Sequence, residues 1–240
     1  MSAPRASKRR LPLLCLPLLA GCAGFHSNAP PAQTYYLRAP TPSTAPESAV
    51  VPQPLSASVR VGHVNADPGL ETDHIILVQA DQRLDFYSAS RWAGSLPDIV
   101  EALTVETLQG AAVFSSVEGP KSPFPSDYLL HVAVKRFDAD YTQGSAAPVV
   151  HVLFDCTVGR SAGRDVIATF RAAGTSAATA NHMSDVVAAF QQATGAALNA
   201  LSRQTIEAVR SASEHTAADG SGGAPANAHE SPALEPSAAK

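Results

Sequence analysis

The sequence predicts an α+β domain: a mainly antiparallel sheet with two helices packed on one face. Three features predict it. Stretches such as PVVHVLFDCTVG (148–159) alternate apolar and polar residues with a period of two. Two longer stretches, near 95–110 and 184–209, carry apolar residues at helical spacing. Their order along the chain is strands, helix, strands, helix, which is the α+β arrangement.

Taken in order, Tyr35-Tyr36-Leu37 is a short β-prone piece suited to an edge strand, set in a stretch rich in Pro, Ala, Ser and Thr. SASVRVGHV (56–64) reads as a strand, and HIILVQADQRLDFYSA (74–89) as a hairpin turning at Ala80-Asp81-Gln82. SLPDIVEALTVETLQG (95–110) reads as a helix. Ser95 is placed to cap it, Asp98 completes a capping box, Gly110 suits its end, and Leu96, Ile99, Val100 and Leu103 form its stripe. A strand at AAVFSSV (111–117) precedes a Pro-rich loop. In DYLLHVAVKRFDADY (127–141), Leu130, Val132 and Val134 share a face while Phe137 falls off the period, which predicts a bulge near Arg136. Val150, Val152, Phe154, Cys156 and Val158 point one way, and RDVIATFRAAG (164–174) follows as hairpin partner. The last helix, about Ser184 to Val209, aligns Val187, Phe190, Thr194, Ala197, Leu198 and Leu201.

The chain has 240 residues, a net charge of −4 and 16% charged residues, which suits one modest domain with unstructured flanks. Its start carries Arg5, Lys8, Arg9 and Arg10, then an apolar run from Leu11 to Gly21, too short to span a membrane. This is the pattern of a secretory signal. Leu19-Ala20-Gly21-Cys22 resembles the bacterial lipobox, and the resemblance implies a diacylglyceryl thioether on Cys22, cleavage before it and acylation of the new amine. Ala23 stands where an inner-membrane retention signal would place Asp, so an outer-membrane destination is favoured. Each buried methylene contributes about 0.8 kcal/mol, and more than one acyl chain makes such an anchor essentially permanent. The reading divides the chain into a signal peptide (1–21), a flexible tether (22–56), the domain (57–210) and a disordered tail (211–240).

Removing the signal leaves 13 basic against 21 acidic residues, a net of −8 that argues against a nucleic-acid partner. Cys15 leaves with the signal and Cys22 is alkylated, so Cys156 has no disulfide partner; between Phe154 and Val158 it reads as a small buried hydrophobe. Gly159-Arg160-Ser161-Ala162-Gly163 matches G-x-S-x-G, but a strand follows where a nucleophile elbow needs a helix, so the motif reads as a hairpin turn. His131 and His151 are placed to face each other across neighbouring strands, but such a pair lacks a third ligand, so no metal is expected; nor is a cofactor. Asp138 and Asp140 read as a solvated strand end. Arg91-Trp92, just ahead of the first helix, leaves two readings open: a core tryptophan locking the helix start, or a hot spot for a partner.

Tyr35-Tyr36-Leu37, Gln82-Arg83-Leu84, Trp92-Ala93 with Leu96, and Arg136-Phe137-Asp138 occur in an order and spacing that resembles the ABC-type transport auxiliary lipoprotein family. The resemblance covers about residues 22–210. The chain departs from the family pattern at Gly94-Ser95, where Glu-Pro is usual, and at Leu70-Glu71-Thr72-Asp73. The resemblance implies a non-enzymatic, outer-membrane, periplasm-facing component of an MCE-type ABC lipid transport system. It would dock the MCE protein conduit that works with the permease and ATPase, and self-association of the domain would match a ring-shaped partner. The competing expectations are a structural lipoprotein of another envelope assembly, for secretion or lipopolysaccharide export, and an envelope hydrolase using Ser161.

Overall fold

The computed structural model describes residues 31–41 and 53–221. In chain order the elements are β1 (Gln33–Tyr35), β2 (Leu55–Val61), β3 (Asn65–Ala66), β4 (His74–Val78), β5 (Leu84–Trp92), α1 (Leu96–Gly110), β6 (Phe114–Glu118), β7 (Tyr128–Asp140), β8 (Val149–Arg160), β9 (Val166–Ala177) and α2 (Met183–Ser221). This is the α+β class, with a nine-stranded sheet.

Strand β7 organises that sheet. One edge carries the long antiparallel ladders, β7 with β8 and β8 with β9. The other edge receives three short parallel strands in succession: β2 opposite Tyr128–Leu130, β3 opposite Ala133–Val134, and β4 opposite Ala139–Asp140. The predicted bulge is present: Val134 faces Phe154 and Arg136 faces Leu153, leaving Lys135 as the extra residue. It resets the pleat, so that Phe137 rejoins the buried face below Leu130, Val132 and Val134. β5 returns antiparallel on β4, and β1 adds a parallel edge to β5. The β4–β5 turn closes through Gln79 N–H to Arg83 O at 2.8 Å, with Gln82 at φ 65°.

Helix α1 starts at Ser95, whose Oγ accepts from Asp98 N–H (3.4 Å) and donates to Asp98 Oδ2 (2.5 Å). Its end differs from expectation. Gly110 stays helical, and Ala112 takes the left-handed conformation (φ 50°), its amide donating to Gln109 O. α2 packs along β9 and β8, and its buried stripe begins at Val186 rather than the half-buried Val187. Gly174 on β9 is what lets it approach: a Cβ there would lie 1.9 Å from Ala193 O of the helix. α2 also runs on through residues 211–221, which the sequence reading assigns to the tail. The remaining tail, the signal peptide and Cys22 lie outside the described residues.

Within the stretch read as tether, residues 33–41 are docked. β1 pairs with Ser90–Trp92, Leu37 is buried, and the Arg38 backbone is held at both ends by the Gln191 amide of α2 (2.9 and 2.8 Å). Among the described residues no helix is long and apolar enough to cross a membrane.

Candidate functional site

The residues read as a partner site occupy the end of β5, where the strand is irregular. His74 faces Arg91 but Ile76 faces Phe86, so β5 holds extra residues around Ala89, which sits at φ 53°. The irregularity separates two neighbours by function. Trp92 turns inward, 1% exposed, its ring edge-on to Phe137 (6.1 Å) and Phe190 (5.2 Å). Three backbone bonds hold the helix start around it: Trp92 N–H to Asp73 O, Ala93 N–H to Tyr35 O and Leu96 N–H to Thr72 O. The tryptophan is therefore core and offers no surface to a partner. Arg91 does: its side chain is 51% exposed, with its Nη1 3.8 Å from Asp73.

Arg91 borders a shallow cleft of about 280 Å³ shared with His74 and Phe86, whose rings stack at 4.6 Å. Phe86 is 52% exposed, and Leu84 on the same strand is also exposed. This joined surface, an arginine beside a stacked histidine–phenylalanine pair, suits protein recognition. Sequence reading missed Phe86 because its alternation with Leu84 is what a half-buried strand also shows. Gly94 nearby leaves open space for a side chain, its added Cβ coming no closer than 3.9 Å to Ile99.

A second group of polar residues lies at the end of β7. Arg136 Nε donates to Asp138 Oδ1 (2.8 Å), and its Nη2 donates to Asp138 Oδ2 (3.1 Å) and Asp140 Oδ2 (2.5 Å). Both aspartates are buried, not solvated as expected, because the bulge swings Arg136 back along its own strand to neutralise them. The Asp138 hydrogen bond leads in raising Arg136 above the usual guanidinium range. Burial pushes the Asp140 carboxyl up, but hydrogen bonds from the Thr142 hydroxyl and amide, then Arg136, outweigh it and hold it below the ordinary value. His151 sits 3.9 Å from Asp140, and burial first, then the Arg136 charge, lowers it. The cluster joins the end of β7 to Thr142 through Asp140.

The remaining candidates are kept apart. His131 faces Thr157 while His151 faces Asp138, so the histidines do not meet. Ser161 lies in the 160–165 turn that joins β8 to β9; its amide donates to Asp127 O (2.8 Å), and the left-handed residue is Arg164 (φ 56°). No helix leaves the motif, so no elbow forms. Cys156 is fully buried, and burial, with the Asp155 charge second, pushes its thiol up to about 12. Among the described residues no three His, Cys, Asp or Glu side chains are placed to hold a metal ion.

Fold and surface together define an α+β domain with a buried Trp92 core and an exposed Arg91–Phe86 edge. The chain belongs to the ABC-type transport auxiliary lipoprotein component family, whose model matches residues 35–204, from β1 into α2. It is similar in fold to a DUF330-family protein from Xanthomonas campestris: 20% identity, 76% of this chain and 99% of that one covered, TM-score 0.66. An uncharacterised protein of known structure aligns at 14% identity over 72% of this chain and 99% of its own, TM-score 0.52. No curated protein matches.

Proposed function

We propose that the protein is a non-enzymatic lipoprotein anchored through acyl chains on Cys22 to the periplasmic face of the outer membrane. There it docks the MCE protein conduit of an ABC-type lipid transport system. Membership of the auxiliary family supports the transport role. The observation that carries the adaptor reading is the docked N-terminal segment. β1 on β5, together with the Gln191 clamp on Arg38, ties the anchor side of the chain to sheet and helix alike. From Cys22 to the first docked residue, Gln33, the chain spans at most about 40 Å when fully extended. The domain is thus held close under its membrane, with the Arg91–Phe86 surface on the strand next to the docked one.

Formaldehyde crosslinking of intact cells, followed by purification of the tagged full-length protein from membranes, tests the reading. Recovery of an MCE-domain protein is expected, reduced by Arg91→Glu combined with Phe86→Ser. Clean absence of that protein from repeated crosslinked preparations would overturn it.

A further inference from the structure

On the sheet face away from the helices, at the β8–β9 turn, lies a groove of about 450 Å³, within the usual size of ligand sites. Its floor follows one register row: Arg60 of β2 opposite Leu129 of β7, Leu129 opposite Gly159 of β8, and Gly159 opposite Val166 of β9. Gly159 sits mid-row. It has no side chain between two apolar neighbours, and an added Cβ would come within 3.3 Å of Asp165 O. Leu129 and Val166 are exposed, Val166 to 63%, and Arg60 Nη2 donates to the Phe124 carbonyl. This is a second patch of uncovered apolar surface, apart from Leu84 and Phe86 on β5.

The lining is cationic as well. Arg60, Arg160 and Arg164 converge on the groove against a single acid, Asp165, although the whole chain is net negative. Asp165 is taken up by Arg160 at 3.5 Å. Arg164 makes no ion pair within 4 Å among the described residues, and Arg60 Nε is buried without a hydrogen-bond partner there. A buried donor left unmet marks a place where an acceptor belongs.

We propose that this groove binds a long-chain anionic amphiphile, its carboxylate or phosphate on the arginines and its chain over Leu129, Gly159 and Val166. An apolar floor alone would suit many occupants; the Arg60 and Arg164 guanidiniums beside it select a negatively charged head. The assignment does not rest on the transporter reading, since loss of partner capture would leave it untouched.

The test uses the full mature chain reconstituted in phosphatidylcholine vesicles and photolabelled with palmitic acid bearing a chain diazirine. Matched hexadecanol and phosphatidylglycerol probes are run in parallel. The acid is expected to label peptides within 124–131 and 157–166 about tenfold more than the alcohol, the loss expected for one charge-assisted contact. Arg164→Glu and Leu129→Glu, both surface changes, are each expected to cut labelling by a similar factor with unchanged circular dichroism. Labelling by phosphatidylglycerol identifies a bilayer lipid as the source, and labelling by the acid alone a free one. Equal labelling by acid and alcohol, labelling elsewhere, or indifference to both variants overturns the proposal.

Discussion

Gly174→Ala sets two effects of opposite sign against each other. Removing a glycine from a strand stabilises by up to about 1 kcal/mol through the unfolded chain. Here the added methyl would lie 1.9 Å from Ala193 O and 2.9 Å from both Ala193 C and Ala197 N. These are backbone atoms of α2, so no rotamer change relieves the clash. The helix must retreat by about 1.5 Å to restore ordinary contact, loosening Phe190 and Leu198 over the sheet. Overpacking of this kind costs about 3 kcal/mol. The net expectation is a loss of about 2 kcal/mol, which for a domain of this size lowers Tm by about 4–8 °C. Thermal unfolding followed at 222 nm reads it directly. Gly119→Ala is the control, because an added Cβ there meets nothing within 4 Å, and it should leave Tm within about 2 °C. An unchanged or raised Tm for Gly174→Ala would refute the close approach of α2 to β9.

Other expectations follow from the same geometry. Among the described residues the buried hydroxyls of Thr194 and Thr205 have no partner, so Thr194→Val should stabilise by about 1 kcal/mol in urea unfolding; a loss would mean the hydroxyl is bonded. Cys156 should resist maleimide at pH 8 in the native protein and react fully in guanidinium, and rapid native labelling would contradict its burial. His151 titrates below 6.5 when folded, so the unfolded chain takes up its proton first. Stability should therefore be full above pH 6.5 and fall as pH drops below it, a slope that His151→Gln removes in a pH series of urea unfolding. Asp140 adds a loss of the same sign as pH drops from its ordinary 3.8 through its lower folded value. Intact-mass spectrometry should find the mature chain starting at an acylated Cys22, and Cys22→Ala should abolish processing.

Much of the fold was legible before any coordinates. Val150 to Val158 alternate because a strand half-buried on one face must, and all five inward positions are buried. The off-period Phe137 announced the bulge, since a pleat cannot otherwise place it inside. Ser95 and Asp98 announced the helix start, because orphan amides need a nearby acceptor. Legibility failed where the partner is distant in sequence. Asp138 and Asp140 look like a solvated strand end until the bulge turns Arg136 toward them. The groove went unseen because its row joins residues 60, 129, 159 and 166, with only the last two close in sequence.

By itself, then, the sequence determined which strand residues face inward, where the helices begin and the family. These are properties of neighbouring residues, and periodicity and capping are local physics. Only the tertiary structure decided that β7 collects three short strands on one edge, that Trp92 serves the core while Arg91 serves the surface, and that arginines from β2 and the β8–β9 turn meet over an apolar floor. Such juxtapositions depend on strand register and helix placement, which are set by the packing of the whole chain rather than by any stretch of it.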